Sequence, residues 1–347
     1  MVWDKGAFRQ MKKMKAHASW DKQKKAALII FWAVWITFAL LIIFHKNVLA
    51  DPDAEFKKKI CGCVLLAFTG LIFSFNIDRL RTLPVELYQN RQLIWKLAKN
   101  DFKKRYAGSY LGSLWAMAQP VVTVLMYWVV FDKILGMQSQ LAASGVNIPY
   151  VLYLTAGLVP WFYFSDALMQ GMMAMLEYNY LVKKVVFKIS VLPIIKIIGA
   201  LFTHIFFTGI LVLMTLLYGY KPSVYMLQVV YYSFCLFMLV LALSYFNCAV
   251  VVFFRDLQQI INIGLQVGMW ATPIMWNIEG FGDKYKVIFK LNPLTYIVGG
   301  FRSSMCGHEW FWEHFYSTTY FWILTISLFC VGAMVFKKLK VHFADVL

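Results

Sequence analysis

The chain is 347 residues long, 61% hydrophobic and 18% aromatic, with 15% charged residues. A soluble domain carries roughly 25% charged and about 45–50% apolar residues, so an ordinary water-soluble enzyme is excluded and a bilayer is the solvent to assume. Lysine and arginine number 34 against 17 acids; with no soluble domain left to present a basic face, this surplus reads as membrane topology and not as nucleic-acid binding.

In chain order, residues 1–25 are basic and polar, too long a charged stretch for the start of a cleaved signal peptide. A helix needs ~20 mostly apolar residues to cross ~30 Å of hydrocarbon. Eight segments qualify: 26–44, 60–77, 113–131, 149–174, 191–219, 224–252, 257–277 and 318–336. The reading is an all-α polytopic membrane protein with about eight transmembrane helices, the first two (26–77) forming a hairpin. With a cytoplasmic N-terminus, the inner segments hold 23 Lys/Arg against 8 acids and the outer ones 10 against 8. That is the positive-inside pattern, and it puts both termini in the cytoplasm. It also puts Lys57, Lys58 and Lys59 outside.

Within the inner segment 78–112, Pro84 to Tyr106 reads as one amphipathic helix opened by proline in its first turn. Leu87, Ile94, Leu97, Ala98 and Phe102 share one side, and Lys96, Lys99 and Lys103 the other, the pattern of a helix lying in the membrane interface. Lys103, Lys104, Arg105 and Tyr106, with Ser109 close behind, sit where anionic lipid or a pyrophosphate would be met; a merely solvated basic face is the alternative. The core runs from 113 to 277, interrupted by the short basic turn 177–188, either a charged anchor or a lever for a soluble partner. Residues 278–317 form the longest outer segment, and Gly280, Gly282, Asp283 and Asn292-Pro293 argue against a continuous span there. The last span and a cytoplasmic tail occupy 318–347.

Few ionisable residues lie in or near the spans: Asp166, Lys196, His204 and the Arg255-Asp256 pair. An intramembrane charge is costly and by default functional; Asp166 and His204 could form a proton relay, or satisfy neighbouring helices. The six cysteines lack zinc-type spacing and read as core packing. There is no G-x-x-x-x-G-K-[ST] phosphate loop, no H-E-x-x-H and no recognisable catalytic set. No catalytic residue, metal site or cofactor is assigned, and any energy source is a gradient or another subunit.

Four strings, in order, resemble one family. They are Lys104-Arg-Tyr-Ala-Gly-Ser-Tyr-Leu-Gly-Ser-Leu-Trp-Ala-Met-Ala-Gln-Pro120; Ala156-Gly-Leu-Val-Pro-Trp-Phe-Tyr-Phe-Ser165 with Asn179-Tyr-Leu-Val-Lys-Lys-Val-Val-Phe-Lys188; Phe254-Arg-Asp-Leu-Gln-Gln259 running into Ala271-Thr-Pro-Ile-Met275; and Leu291-Asn-Pro-Leu-Thr-Tyr-Ile-Val-Gly-Gly-Phe-Arg302. They resemble the permease subunits of type 2 ATP-binding-cassette exporters of polysaccharide: O-antigen, capsule and teichoic acid. Lys188 stands where that family has proline, and the 26–77 hairpin is an addition to its six-span core.

The resemblance implies a bacterial cytoplasmic-membrane homodimer over two copies of an ATPase that binds ATP and Mg, moving a lipid-linked glycan outward. It makes Asn179, Leu181, Lys183, Lys184, Phe187 and Lys188 the ATPase-coupling residues. Residues 84–106 become a gate helix, with Lys103, Lys104, Arg105, Tyr106 and Ser109 at the lipid pyrophosphate. Trp115, Tyr127, Trp128, Phe131, Trp161, Phe162 and Tyr163 are candidates for the glycan path. Arg255, Asp256, Asn292, Pro293 and Arg302 carry the structural motifs, and 278–317 becomes a pair of external re-entrant helices. The alternatives are a proton-coupled secondary transporter, a membrane acyl- or glycosyltransferase, and a same-family exporter of a small lipid or drug.

Overall fold

The computed structural model describes residues 25–26, 28–44, 52–80, 82–105, 108–110, 112–136, 140–141, 147–182, 188–307 and 309–347. Those residues divide into two compact units, Met1–Val85 and Glu86–Leu347.

The first unit is a helical hairpin of α1 (Leu28–Phe44) and α2 (Pro52–Leu80). Its seam is aromatic: Phe31 stacks on Phe73 at 3.6 Å, and the Trp35 indole donates to the Leu66 carbonyl at 3.0 Å. Gly70 lets both Trp32 and Trp35 approach α2, since a Cβ there would lie 3.2 Å from each ring. The lysines assigned to an outer loop instead lie within α2. Lys59 pairs with Glu55 one turn back at 3.3 Å, an i,i+4 contact that extends the helix beyond its apolar run.

The second unit is a helical bundle. The single helix expected from Pro84 to Tyr106 is replaced by α3 (Thr82–Gln89), which crosses the boundary between the units, and α4 (Arg91–Arg105) in the second. The break falls at Asn90, whose side-chain amide donates at 2.7 Å to the Glu86 carbonyl that also accepts the Asn90 N–H at 3.1 Å. The expected faces hold: Ile94 and Ala98 are buried, while Lys96, Lys99, Lys103 and Lys104 are exposed. The turn into α5 (Trp115–Tyr127) uses Gly108 and Gly112 at φ +87° and +55°, left-handed values that explain both glycines of the first string. Beyond Pro120, α5 widens into i→i+5 turns over Trp128–Ile134. A two-residue antiparallel ribbon (Gln140–Leu141 with Asn147–Ile148) follows.

The centre of the bundle is α6 (Tyr150–Glu177), packed against α8 (Leu192–Leu217), α9 (Gln228–Val251) and α12 (Pro293–Cys306). Among the described residues, four helical stretches are long and apolar enough to cross a membrane: Tyr150–Glu177, Ile189–Leu217, Val224–Val251 and Phe315–His342, the last containing α13 (Phe315–Leu339). Shorter apolar helices cover Leu28–Phe44, Gly62–Phe75 and Trp115–Phe131. The span expected at 257–277 is a 15-residue helix, α10 (Leu257–Ala271), ended by an extended Thr272 before Pro273. At 1.5 Å per residue it rises about 22 Å, short of the hydrocarbon thickness. Residues 278–317 contain α11 (Asp283–Lys290) and α12, two short helices in place of one long one. Close packing relies on small residues: a Cβ on Gly171 would sit 2.4 Å from Ser244 Oγ, and one on Gly332 2.7 Å from the Ala242 carbonyl.

Candidate functional site

Two constellations gather the residues singled out in the sequence. The first lies where α4 meets the end of α6 and the start of α8. Lys196 needs a partner, because a buried ammonium is costly unless paired. It has two, Asp101 of α4 at 2.8 Å and Glu177 of α6 at 2.5 Å. Lys196 and Asp101 are almost buried, with side chains 7% and 9% exposed. The Tyr178 hydroxyl also donates to Asp101; burial, then this contact, pushes the Tyr178 phenol above its ordinary pKa, so it stays a donor. Arg105 lies 3.6 Å from Asp101 and 3.8 Å from Asp166, and donates to Gln170.

This network changes the reading of the basic cluster. Lys103 and Lys104 face outward as expected, whereas Arg105 turns inward to the acids of α4 and α6. Lys104 and Leu181 line one cleft of about 150 Å³ with Asp101 and Lys196. The structure thus brings a member of the expected gate set and one of the expected coupling set together. Asn179 opens the one-turn helix α7 (Asn179–Val182) and is exposed. Lys188 is exposed and extended at φ −81°, ψ 93°, close to the φ that proline enforces, so replacing proline costs little geometry. Ser109 lies in the exposed turn after α4. Tyr106, Lys183, Lys184 and Phe187 lie outside the described residues.

The second constellation is a knot between α6, α12 and the turn after α10. The Arg302 guanidinium donates to the Tyr153 carbonyl at 3.2 Å and the Ile274 carbonyl at 2.7 Å, and stands 3.4 Å over the Tyr153 ring. Gly157 leaves room for it, since a Cβ there would meet both Arg302 and Ile274 at 3.1 Å. Tyr150 and Tyr153 donate to the carbonyls of Met275 and Trp276 at 3.0 and 2.9 Å. Asn292 caps α12 through Leu294 N–H at 3.0 Å and donates to Thr272 at 2.9 Å, with Pro293 in the first turn where no N–H is needed. Three of the four strings converge here. Arg255 and Asp256 do not; both are exposed in the turn between α9 and α10.

The aromatic candidates divide. Trp115, Phe162 and Tyr163 line a cavity of about 520 Å³ with Asp166, His204 and Asn262. Trp128 lines a separate apolar pocket of about 310 Å³. Tyr127, Phe131 and Tyr150 form a chain of ring contacts at 5.8 and 5.5 Å. Trp161 is 5% exposed and packs on Gly268 of α10. Asp166 and His204 share the 520 Å³ cavity but not a bond: the Asp166 carboxylate faces Arg105 and Gln170, and His204 Nε2 lies 3.0 Å from Ser233 Oγ. Sequence reasoning missed Asp101 and Glu177. Their signal was present, since Asp101 falls on the apolar side of α4, one turn beyond Ala98 and opposite the lysines.

Residues 92–306 match the ABC-2 type transporter family. Among curated proteins, the chain is 27% identical over 259 residues to an O-antigen export system permease protein RfbA of Klebsiella pneumoniae, covering 74% of this chain and 95% of that protein. A second, from Myxococcus xanthus, is 28% identical over 226 residues, covering 65% of this chain and 84% of its own length. The family match spans more than half of the chain, and this multi-pass membrane chain therefore belongs to the ABC-2 type transporter family.

Proposed function

We propose that the chain is the channel-forming subunit of an ATP-driven exporter that carries a lipid-linked polysaccharide, of O-antigen, capsule or teichoic acid type, outward across the bacterial cytoplasmic membrane. The observation that carries this is the likeness to O-antigen export permeases over 74% of this chain and 95% of the relative. In this reading two copies form the path and two copies of a partner ATPase, binding ATP and Mg, dock at residues 179–188. The N- and C-termini face the cytoplasm, and α11 and α12 form the external re-entrant pair.

The ionic cluster supplies a physical route for coupling. Glu177 and Tyr178 immediately precede the docking segment, and Lys196 joins them to Asp101 on α4. A push on 179–188 therefore reaches the interface helix through a charge network, which differential ATPase contacts can bias between two states. In this reading Lys103 and Lys104, both exposed on α4, meet a lipid pyrophosphate by charge-assisted hydrogen bonds. The 520 Å³ cavity, walled by Trp115, Phe162 and Tyr163, offers sugar-tolerant apolar contact with polar tips.

The test is co-purification with a candidate partner ATPase, followed by ATPase activity with wild type and with Lys183, Lys184 and Phe187 changed to alanine, alongside surface polysaccharide in a deletion strain. Stable association, weakened stimulation in the variants and lost surface polysaccharide support the reading. Absence of a binding ATPase would return the proton-coupled alternative through Asp166 to the front.

A further inference from the structure

The loop between α12 and α13 builds a surface that this transport scheme leaves unused. Trp310 and Trp312 stack with centroids 4.5 Å apart and planes 9° from parallel, and Tyr225 lies against Trp310 at 4.8 Å. The outer ring, Trp312, is 54% exposed. Such rings on a loose loop would mean little, but this loop is fixed from several sides. Gln228, 3% exposed, donates to the Glu309 carbonyl at 3.0 Å and accepts from Phe311 N–H at 2.7 Å. Phe311 stacks on Tyr231 at 4.1 Å, its carbonyl accepts from Thr318 at 2.7 Å, and Glu313 N–H closes the turn onto the Trp310 carbonyl at 3.0 Å. A polar rim follows: Glu309 lies 3.0 Å from His314 Nε2, and Glu313 is exposed.

The chemistry this matches is a sugar ring. A pyranose has an apolar C–H face that lies on an indole, and an edge of hydroxyls that carboxylate and imidazole groups hydrogen-bond. Interfacial tryptophans that anchor a protein in lipid need no such stack and no buried amide to hold their loop. Pre-organisation lowers the entropy lost when a flexible chain is caught. Connectivity fixes the location: α8 starts at Leu192, where Lys196 meets Glu177 at the end of α6, and ends at Leu217, so Tyr225 and the 309–314 loop lie at the opposite end of the bundle from that contact.

We propose that Trp312, backed by Trp310 and Tyr225 and rimmed by Glu309, Glu313 and His314, is a glycan-stacking platform that receives sugar residues as the chain emerges. The proposal rests on the polysaccharide reading above, and its test separates the two. The full-length protein with its ATPase, in nanodiscs of phosphatidylethanolamine and phosphatidylglycerol, is titrated with surface polysaccharide released from its lipid by mild acid. Trp312→Ala is expected to weaken binding by the scale of one aromatic contact, roughly two- to ten-fold, and Trp312→Phe to keep most of it, with ATPase association unchanged in both. In cells, Trp312→Ala is expected to lower the amount of long-chain surface polysaccharide. Wild-type binding matched by Trp312→Ala, or no binding by wild type, overturns the platform; so does a Trp312→Ala effect confined to lipid partitioning, which assigns the ring to membrane anchoring. A deletion strain with intact surface polysaccharide overturns the exporter reading instead.

Discussion

Replacing Lys196 by methionine keeps the stem and removes the charge, leaving Asp101 buried with Arg105 Nη2 at 3.6 Å and the Tyr178 hydroxyl as its remaining partners. Removing one partner of a buried ion pair costs about 3–5 kcal/mol, and these residual contacts place Lys196→Met near the lower end. The Glu177 contact adds little, because that carboxylate is 49% exposed and an exposed pair contributes about 0–1 kcal/mol. The double variant Asp101→Asn/Lys196→Met removes both charges and recovers part of the loss, with a coupling on the order of 1–3 kcal/mol. The assay is equilibrium unfolding of the four members of the cycle in one detergent, with amide hydrogen exchange across α4. Lys196→Met is expected to speed exchange over 93–105 selectively, since that helix loses its tether to α6 and α8. Single-variant effects that add within about 0.5 kcal/mol, or unchanged α4 exchange, would refute the tether.

Gly300→Ala places a Cβ 2.1 Å from the buried Tyr232 ring, so separating α12 from α9 is expected to cost about 1–3 kcal/mol or more, read as a lowered unfolding midpoint. Arg302→Lys loses the planar donor set and the Tyr153 stack; about 1–3 kcal/mol of destabilisation is expected, with faster protease cleavage in 277–290, whereas unchanged cleavage would show that Arg302 does not hold the turn. Orientation is read by single cysteines at the exposed Lys290 and Tyr180: an impermeant thiol reagent on intact cells is expected to label the first and spare the second. Ala98→Leu, at a site with no exposure on α4, is expected to push α4 from α8 and cost about 1–3 kcal/mol; stability equal to wild type would mean that the seam tolerates the added volume.

How much was legible follows from what each signal depends on. Four of the eight apolar runs became helices long enough to cross a bilayer, because in hydrocarbon a backbone must satisfy its own hydrogen bonds, while the run at 257–277 became the 15-residue α10. Gly108 and Gly112 of the first string take left-handed positions, and Asn292-Pro293, read in the sequence as an interruption of a span, opens a helix. Helix ends were less legible: α2 extends past its apolar run to include Lys59, paired with Glu55, and the interface helix divides at Asn90. The sequence showed Arg105 as one more cation in a basic row, and its inward turn depends on Asp166 and Gln170, more than 60 residues away.

The sequence by itself determined the solvent, the helical class and the family, because hydrophobic length, charge bias and ordered motifs are properties of contiguous residues. Tertiary structure alone decided which charges meet. Lys196 had two acids to choose from only once α4, α6 and α8 were packed, and Trp312 became a backed platform only once Gln228 of α9 held its loop. Burial makes such pairings strong and specific, and burial is created by the packing of segments far apart in the chain.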